Sequence, residues 1–124
     1  MELLREKIEI LAGKLKDIDS QAVTDLYEIL STCSRCIQEI IIKEAVATTW
    51  KNILEPEQYQ AKLTEAEKDV KIVQYKLVKG ILRLNEYCLK AKIELLYKGN
   101  TEDITEVTEF AKKIVDEMVI TRRR

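Results

Sequence analysis

From Tyr59 the apolar positions run Tyr59, Leu63, Ala66, Val70, Val73, Leu77, Gly80, Leu84, Tyr87 and Ala91, in alternating steps of four and three. Residues so spaced stack on one side of an α-helix. The pattern predicts a helix over residues 56–97, roughly 60 Å long at about 1.5 Å per residue. A helix of that length must project from a small domain, break, or pair with another chain. Its two halves differ in character. Residues 57–71 carry only the narrow seam, with Glu, Gln, Lys and Asp elsewhere, which reads as one-sided packing or a coiled-coil arm. From Leu77 onward Val78, Ile81, Leu82, Cys88, Leu89, Ile93, Leu95 and Leu96 spread round the cylinder, so that half is expected to be buried more deeply. Gly80 lies in the seam, where a small residue admits another backbone, and it is the expected bend.

Three further helices follow from the same spacing. Leu4, Ile8, Leu11, Leu15 and Ile18 give a helix over residues 2–16, with Asp19 or Ser20 available to cap the next. Val23, Leu26, Leu30, Cys33, Ile37 and Ile40 give a second over 21–48. Ile29, Cys36, Ile41 and Ile42 widen its stripe, which predicts contact with two neighbours. Trp50, Ile53 and Leu54 are expected to fold back as an apolar corner before Pro56, a residue suited to the first position of a helix. Leu54 and Tyr59 are placed as a hydrophobic staple. Gly99 fits the left-handed position after a helix end, and Asn100 with Asp103 fits a capping box opening a fourth helix over 101–120. Ile104, Val107, Ala111, Ile114 and Met118 form its seam. The expectation is an all-α, single-domain, up-down four-helix bundle with an overlong third helix.

Composition narrows the function classes. The 124 residues carry 21 Lys plus Arg against 22 Asp plus Glu, a net charge of −1. A dedicated nucleic-acid binder has a clear basic excess, and a DNA mimic would be strongly acidic. Leu3 and Leu4 are followed at once by Arg5, Glu6 and Lys7, which is no signal peptide, and no apolar run approaches membrane-spanning length. Three cysteines, an odd number, fit a reducing compartment. The expected location is cytoplasmic.

The chain has no histidine. It therefore lacks an imidazole base, which excludes serine–histidine and cysteine–histidine hydrolase sites and the Glu-x-x-His di-metal site of helical bundles. The expectation is a protein without catalytic activity. Cys33 and Cys36 form a C-x-x-C, but a structural zinc needs four ligands and only Cys88 remains. A redox pair works best at a helix N-terminus, whereas this pair lies mid-helix and reads as two small core residues. Glu102, Glu106 and Glu109 share a face, where they complement the helix dipole. No metal and no cofactor is expected. Lys76, Lys79, Arg83 and Lys90 line one face of the long helix, and Arg122, Arg123 and Arg124 close the chain. These are the candidate nucleic-acid contacts. Glu86 interrupts the stripe and no aromatic is interleaved on that face, so a solvated helix face accounts for it more simply.

One stretch has a family look. Leu54-Glu55-Pro56-Glu57-Gln58-Tyr59, Leu84-Asn85, the run from Ile93 to Asp103, Glu106-Val107, Glu109-Phe110-Ala111 and Ile114-Val115 resemble a small all-helical family from Firmicutes described only as a domain of unknown function. The resemblance covers roughly residues 50–122 and rests mostly on helix punctuation. Members of that family tend to carry an Arg and a His in the middle of the long helix and an Arg after the turn. Here Lys71-Ile72-Val73-Gln74 and Ile104 occupy those regions. The resemblance implies an all-helical fold and no activity.

The reading that emerges is a helical interaction or regulatory module that binds another protein. Tyr59, Leu63, Ala66 and Val70 are the expected partner or dimer row, and a homodimer would bury a seam that one small bundle cannot reach. Immunity proteins, antitoxins and phage-encoded inhibitors of host or defence proteins are analogous at the level of fold. The alternative is nucleic-acid binding through the basic face and the arginine tail.

Overall fold

The computed structural model describes residues 3–123, with side chains from Leu4 to Ile120. The elements are α1 (Leu3–Leu15), α2 (Ser20–Thr48), a 3-10 turn (Trp50–Asn52), α3 (Pro56–Ala91) and α4 (Ile104–Arg123). Among the described residues there is no strand. The all-α, four-helix expectation with a long third helix holds.

Local chemistry sets the helix starts. The Asp19 carboxylate accepts the Ala22 amide at 3.2 Å and caps α2, satisfying a donor that the helix itself cannot. Pro56 stands at the first position of α3, ahead of which Glu55 is extended. Asp103, and not Asn100, caps α4: its carboxylate accepts the amides of Thr105 and Glu106 at 3.0 and 3.3 Å. Asn100 turns the chain ahead of it, accepting the Glu102 amide, so α4 begins three residues later than its spacing suggested.

The end of α3 departs further from expectation. The helix stops at Ala91, short of Tyr97, and Lys92 takes the left-handed conformation with φ 59°. The Lys92 amide donates to the Leu89 carbonyl and the Ile93 amide to the Cys88 carbonyl, the paired bonds of a Schellman ending. A side chain within α3 itself accompanies this ending. The Asn85 amide donates to the Tyr97 carbonyl at 2.8 Å and accepts the Tyr97 amide at 3.1 Å. One side chain thus does for residue 97 what a neighbouring strand would, and it draws residues 93–97 back over α3. Leu96 and Tyr97 are buried as a result. Gly99 is not a left-handed cap. A Cβ there would lie 2.5 Å from the Tyr97 hydroxyl, so the residue is small because a ring folds over it.

The core joins Leu4, Ile8, Leu11 and Leu15 of α1 to Leu26, Ile29, Cys33 and Ile37 of α2. Leu77, Ile81, Leu84 and Cys88 of α3 and Val107, Ala111, Val115 and Met118 of α4 complete it. α2 and α3 run antiparallel, since Asp25 pairs with Arg83 at 2.7 Å while the earlier Asp19 pairs with the later Lys90 at 2.8 Å. α3 is one uninterrupted helix through Gly80. Gly80 marks the close approach expected of it: a Cβ added to it would sit 3.2 Å from a methyl of Ile29 on α2.

The core stops at Ile37 on α2 and Val73 on α3. Val46, Ala66 and Val70 are buried beyond it but stand outside that cluster. The molecule thus has a four-helix body and an arm, the α2–α3 hairpin over residues 41–72.

Candidate interaction surface

Exposed apolar side chains occur on both parts of the molecule: Ile10, Ile18, Tyr27, Tyr75, Leu89, Ile104 and Ile120 stand singly over the body, while five more fall within the short arm. Ile41, Ile42, Trp50, Ile53 and Ile72 are all exposed, with Trp50 38% and Ile53 68% accessible. Ile42 and Val46, four residues apart, share one side of α2, and Trp50 follows in the 3-10 turn. Lys62 of α3 holds its ammonium 5.3 Å from the centre of the Trp50 ring. Between the two helices lies a shallow groove of about 150 Å³ lined by Ile42, Val46, Lys62, Glu65, Ala66 and Asp69. The chain does turn back at Trp50, Ile53 and Leu54, between α2 and α3, but Trp50 and Ile53 are exposed there and Leu54 is only partly covered. The turn that carries them is a single 3-10 turn with no third helix over it, so the chain's one tryptophan stays accessible.

The expected contact row divides. Ala66 and Val70 are only 6% and 9% exposed. Ala66 faces the groove beside Ile42 and Val46, and Val70 lies with Ile40, Lys43 and Glu44 of α2 and with Lys112 and Asp116 of α4. Both are therefore covered by their own chain. Tyr59 and Leu63, nearer the tip, are half-buried.

The basic face of α3 is partly neutralised. Arg83 is paired with Asp25, whose other oxygen accepts the Tyr87 hydroxyl at 2.7 Å. That bond first, and burial second, push the Tyr87 hydroxyl up to about 12. Lys90 is paired with Asp19, and this bond, reinforced by the Ala22 amide, holds the Asp19 carboxyl below its ordinary value. Lys79 lies 4.7 Å from the centre of the Tyr75 ring, so an aromatic does stand on this face, contrary to expectation. Lys76, Lys79 and Arg83 line a groove of about 550 Å³ with Thr32 and Leu82. The side chains of Arg122, Arg123 and Arg124 lie outside the described residues.

The remaining candidates are structural. Cys33, Cys36 and Cys88 are buried free thiols, and the Cys33 sulfur lies 3.4 Å from that of Met118. Burial, with Asp116 and Glu39 nearby, pushes the Cys36 thiol up to about 11, and burial raises Cys88 as well. A reactive thiol requires the opposite shift. Glu102 falls in the turn before α4, apart from Glu106 and Glu109 on the helix. Among the described residues no three His, Cys, Asp or Glu side chains converge as metal ligands. No helix among them is long and apolar enough to cross a membrane.

Asn85 was not singled out by spacing. The available signal was a carboxamide within the most apolar half of the long helix, where an unpartnered polar group is costly. Comparison of the chain with protein-family models, with characterised proteins and with solved structures finds no match in any of the three. Nothing in those comparisons bears on the Firmicutes resemblance.

Proposed function

We propose that this chain is a non-catalytic interaction module whose binding end is the α2–α3 arm. The observation that carries the reading is the concentration of Ile41, Ile42, Trp50 and Ile53 on the open part of one two-helix hairpin. A tryptophan flanked by aliphatic side chains and a cation has the composition of a binding hot spot. None of these side chains belongs to the core that holds the four helices together, so folding of the body does not account for them. A regulatory role of the kind played by immunity proteins, antitoxins or phage-encoded inhibitors is compatible with such an arm.

The nucleic-acid alternative draws less support. Two of the four stripe cations are engaged by carboxylates of the same chain, and the overall charge is −1. Phosphate binding would also fall steeply with salt.

The test is a photo-crosslinking side chain at Ile53, compared with one at Glu6 on the body. Both positions are exposed. In cells of the source organism the Ile53 probe should give discrete protein adducts that Trp50→Ala diminishes, and the Glu6 probe should not. Equal labelling from both positions, or none from Ile53, refutes the reading.

A further inference from the structure

We infer that the occupant of the arm is the arm of a second copy, packed antiparallel across a twofold axis that passes close to Ala66. This rests on the arm being the binding end and goes on to name the partner.

The first argument is architectural. Within the body, α1 and α4 both pack on the α2–α3 hairpin. Beyond Ile37 and Val73 the hairpin keeps Lys112 and Asp116 of α4 beside Val70 on one side, while its other side, the groove of Ile42, Val46 and Ala66, is lined by α2 and α3 alone. Two arms laid together supply each other with the missing pair of helices and repeat the four-helix arrangement of the body.

The second argument is charge. Beside the buried seam of α3 runs the row Glu55, Gln58, Lys62, Glu65, Asp69, Ile72 and Lys76, spaced at three and four. It borders the groove that Ile42, Val46 and Ala66 line. Turning this row end for end about its centre brings Lys62 of each copy to Asp69 of the other, and Glu55 to Lys76. Both pairs are attractive, and the axis makes each occur twice. Ala66, at the crossing, is small enough for close approach. Glu65 is the one unfavourable neighbour, because the two copies of it meet near the axis. Trp50, held beside Lys62, is carried toward Ile72 of the second copy.

The third argument is size. The row from Glu55 to Lys76 spans about 32 Å. Two helices' width along that length gives on the order of 600 Å² per copy, at the lower end of what specific association needs. Area does not fix an affinity, and the micromolar range is the one tested.

Sedimentation equilibrium of the full chain decides the matter, run from about 5 to about 500 µM so as to bracket that range. The mass should rise from monomer to dimer with concentration. Lys62→Asp and Asp69→Lys should each weaken the dimer by at least about tenfold, and the two together should restore it. Glu65→Gln should tighten it. A monomer at every concentration overturns the inference, as does a dimer indifferent to both single reversals. A monomer whose Ile53 probe still captures a different protein removes the twin but leaves the arm as the binding end; loss of all adducts removes both.

Discussion

One helix, α3, passes through two environments without interruption, and its seam has the same spacing in both. At Leu77 the seam is fully buried, with core residues of α1, α2 and α4 around it; at Leu63 it is half-buried between two helices only. The same residue type on the same face therefore does different work. In the body the seam stabilises the fold. In the arm part of it stays open to water. Periodicity reports which face of a helix is apolar, while burial depends on how many neighbours that face has.

A truncation pair exposes the difference most strongly. Leu77→Ala should cost about 2–5 kcal/mol of unfolding free energy, as buried leucines do when a cavity replaces them. Leu63→Ala should cost about half as much or less, because part of its surface already meets water. Trp50→Ala should cost about 1–2 kcal/mol, because more than half of the ring is covered, while diminishing adducts at Ile53. Denaturant titration measures all three. Equal losses at Leu63 and Leu77 would mean that the arm is covered as fully as the body.

The next effect belongs to the body alone. Asn85→Leu leaves the amide and the carbonyl of Tyr97 without their partner. Each unsatisfied buried group costs about 1–3 kcal/mol. Hydrogen exchange should accelerate over residues 93–103, where Leu96 and Tyr97 are released, and remain unchanged in the arm. Acceleration spread evenly through α2 and α3 would contradict a local role.

That contact also marks the limit of what was legible in the sequence. Each helix and its buried face followed from the steps of three and four, because those steps are a property of the helix itself. The end of α3 did not follow. Ile93 to Tyr97 is a segment able to continue a helix, but it turns back so that Asn85, a side chain of α3 itself, binds the Tyr97 backbone. Asp103 took the cap from Asn100 for a similar reason: Asn100 is engaged in the preceding turn and its carbonyl accepts the Tyr97 hydroxyl. The Trp50 corner was recognisable as apolar, but spacing is silent about cover. Of the expected contact row, Tyr59 and Leu63 are half-buried, whereas Ala66 and Val70 are covered within their own chain.

Alkaline pH separates the regions more gently. Tyr87 titrates at about 12 in the folded chain against an ordinary 10.0, and Cys36 at about 11 against 9.0. A pKa raised by folding adds stability that is complete below the unfolded value and lost as pH climbs through the folded one. Stability should therefore hold to about pH 9 and then decline toward pH 12. Tyr87→Phe should flatten the part of that decline above pH 10, at a cost near 1 kcal/mol at neutral pH for the bond to Asp25. Unchanged alkaline slopes in this variant would show that Tyr87 is not the group responsible.

The smallest effect is one of sign. Lys92 holds a left-handed conformation that costs an L-residue about 1–2 kcal/mol and glycine almost nothing. Lys92→Gly should stabilise the protein by about 0.5–1 kcal/mol once the greater freedom of glycine in the unfolded chain is subtracted. Lys68 is exposed in the middle of the arm's helix, where glycine has no such advantage. Lys68→Gly should destabilise by about 0.5–1 kcal/mol. The same replacement, twenty-four positions apart on the chain, should thus move the denaturation midpoint in opposite directions with the slope unchanged. If both lower it, the α3 ending is held by the side chain of Lys92 and not by the backbone bonds to Cys88 and Leu89.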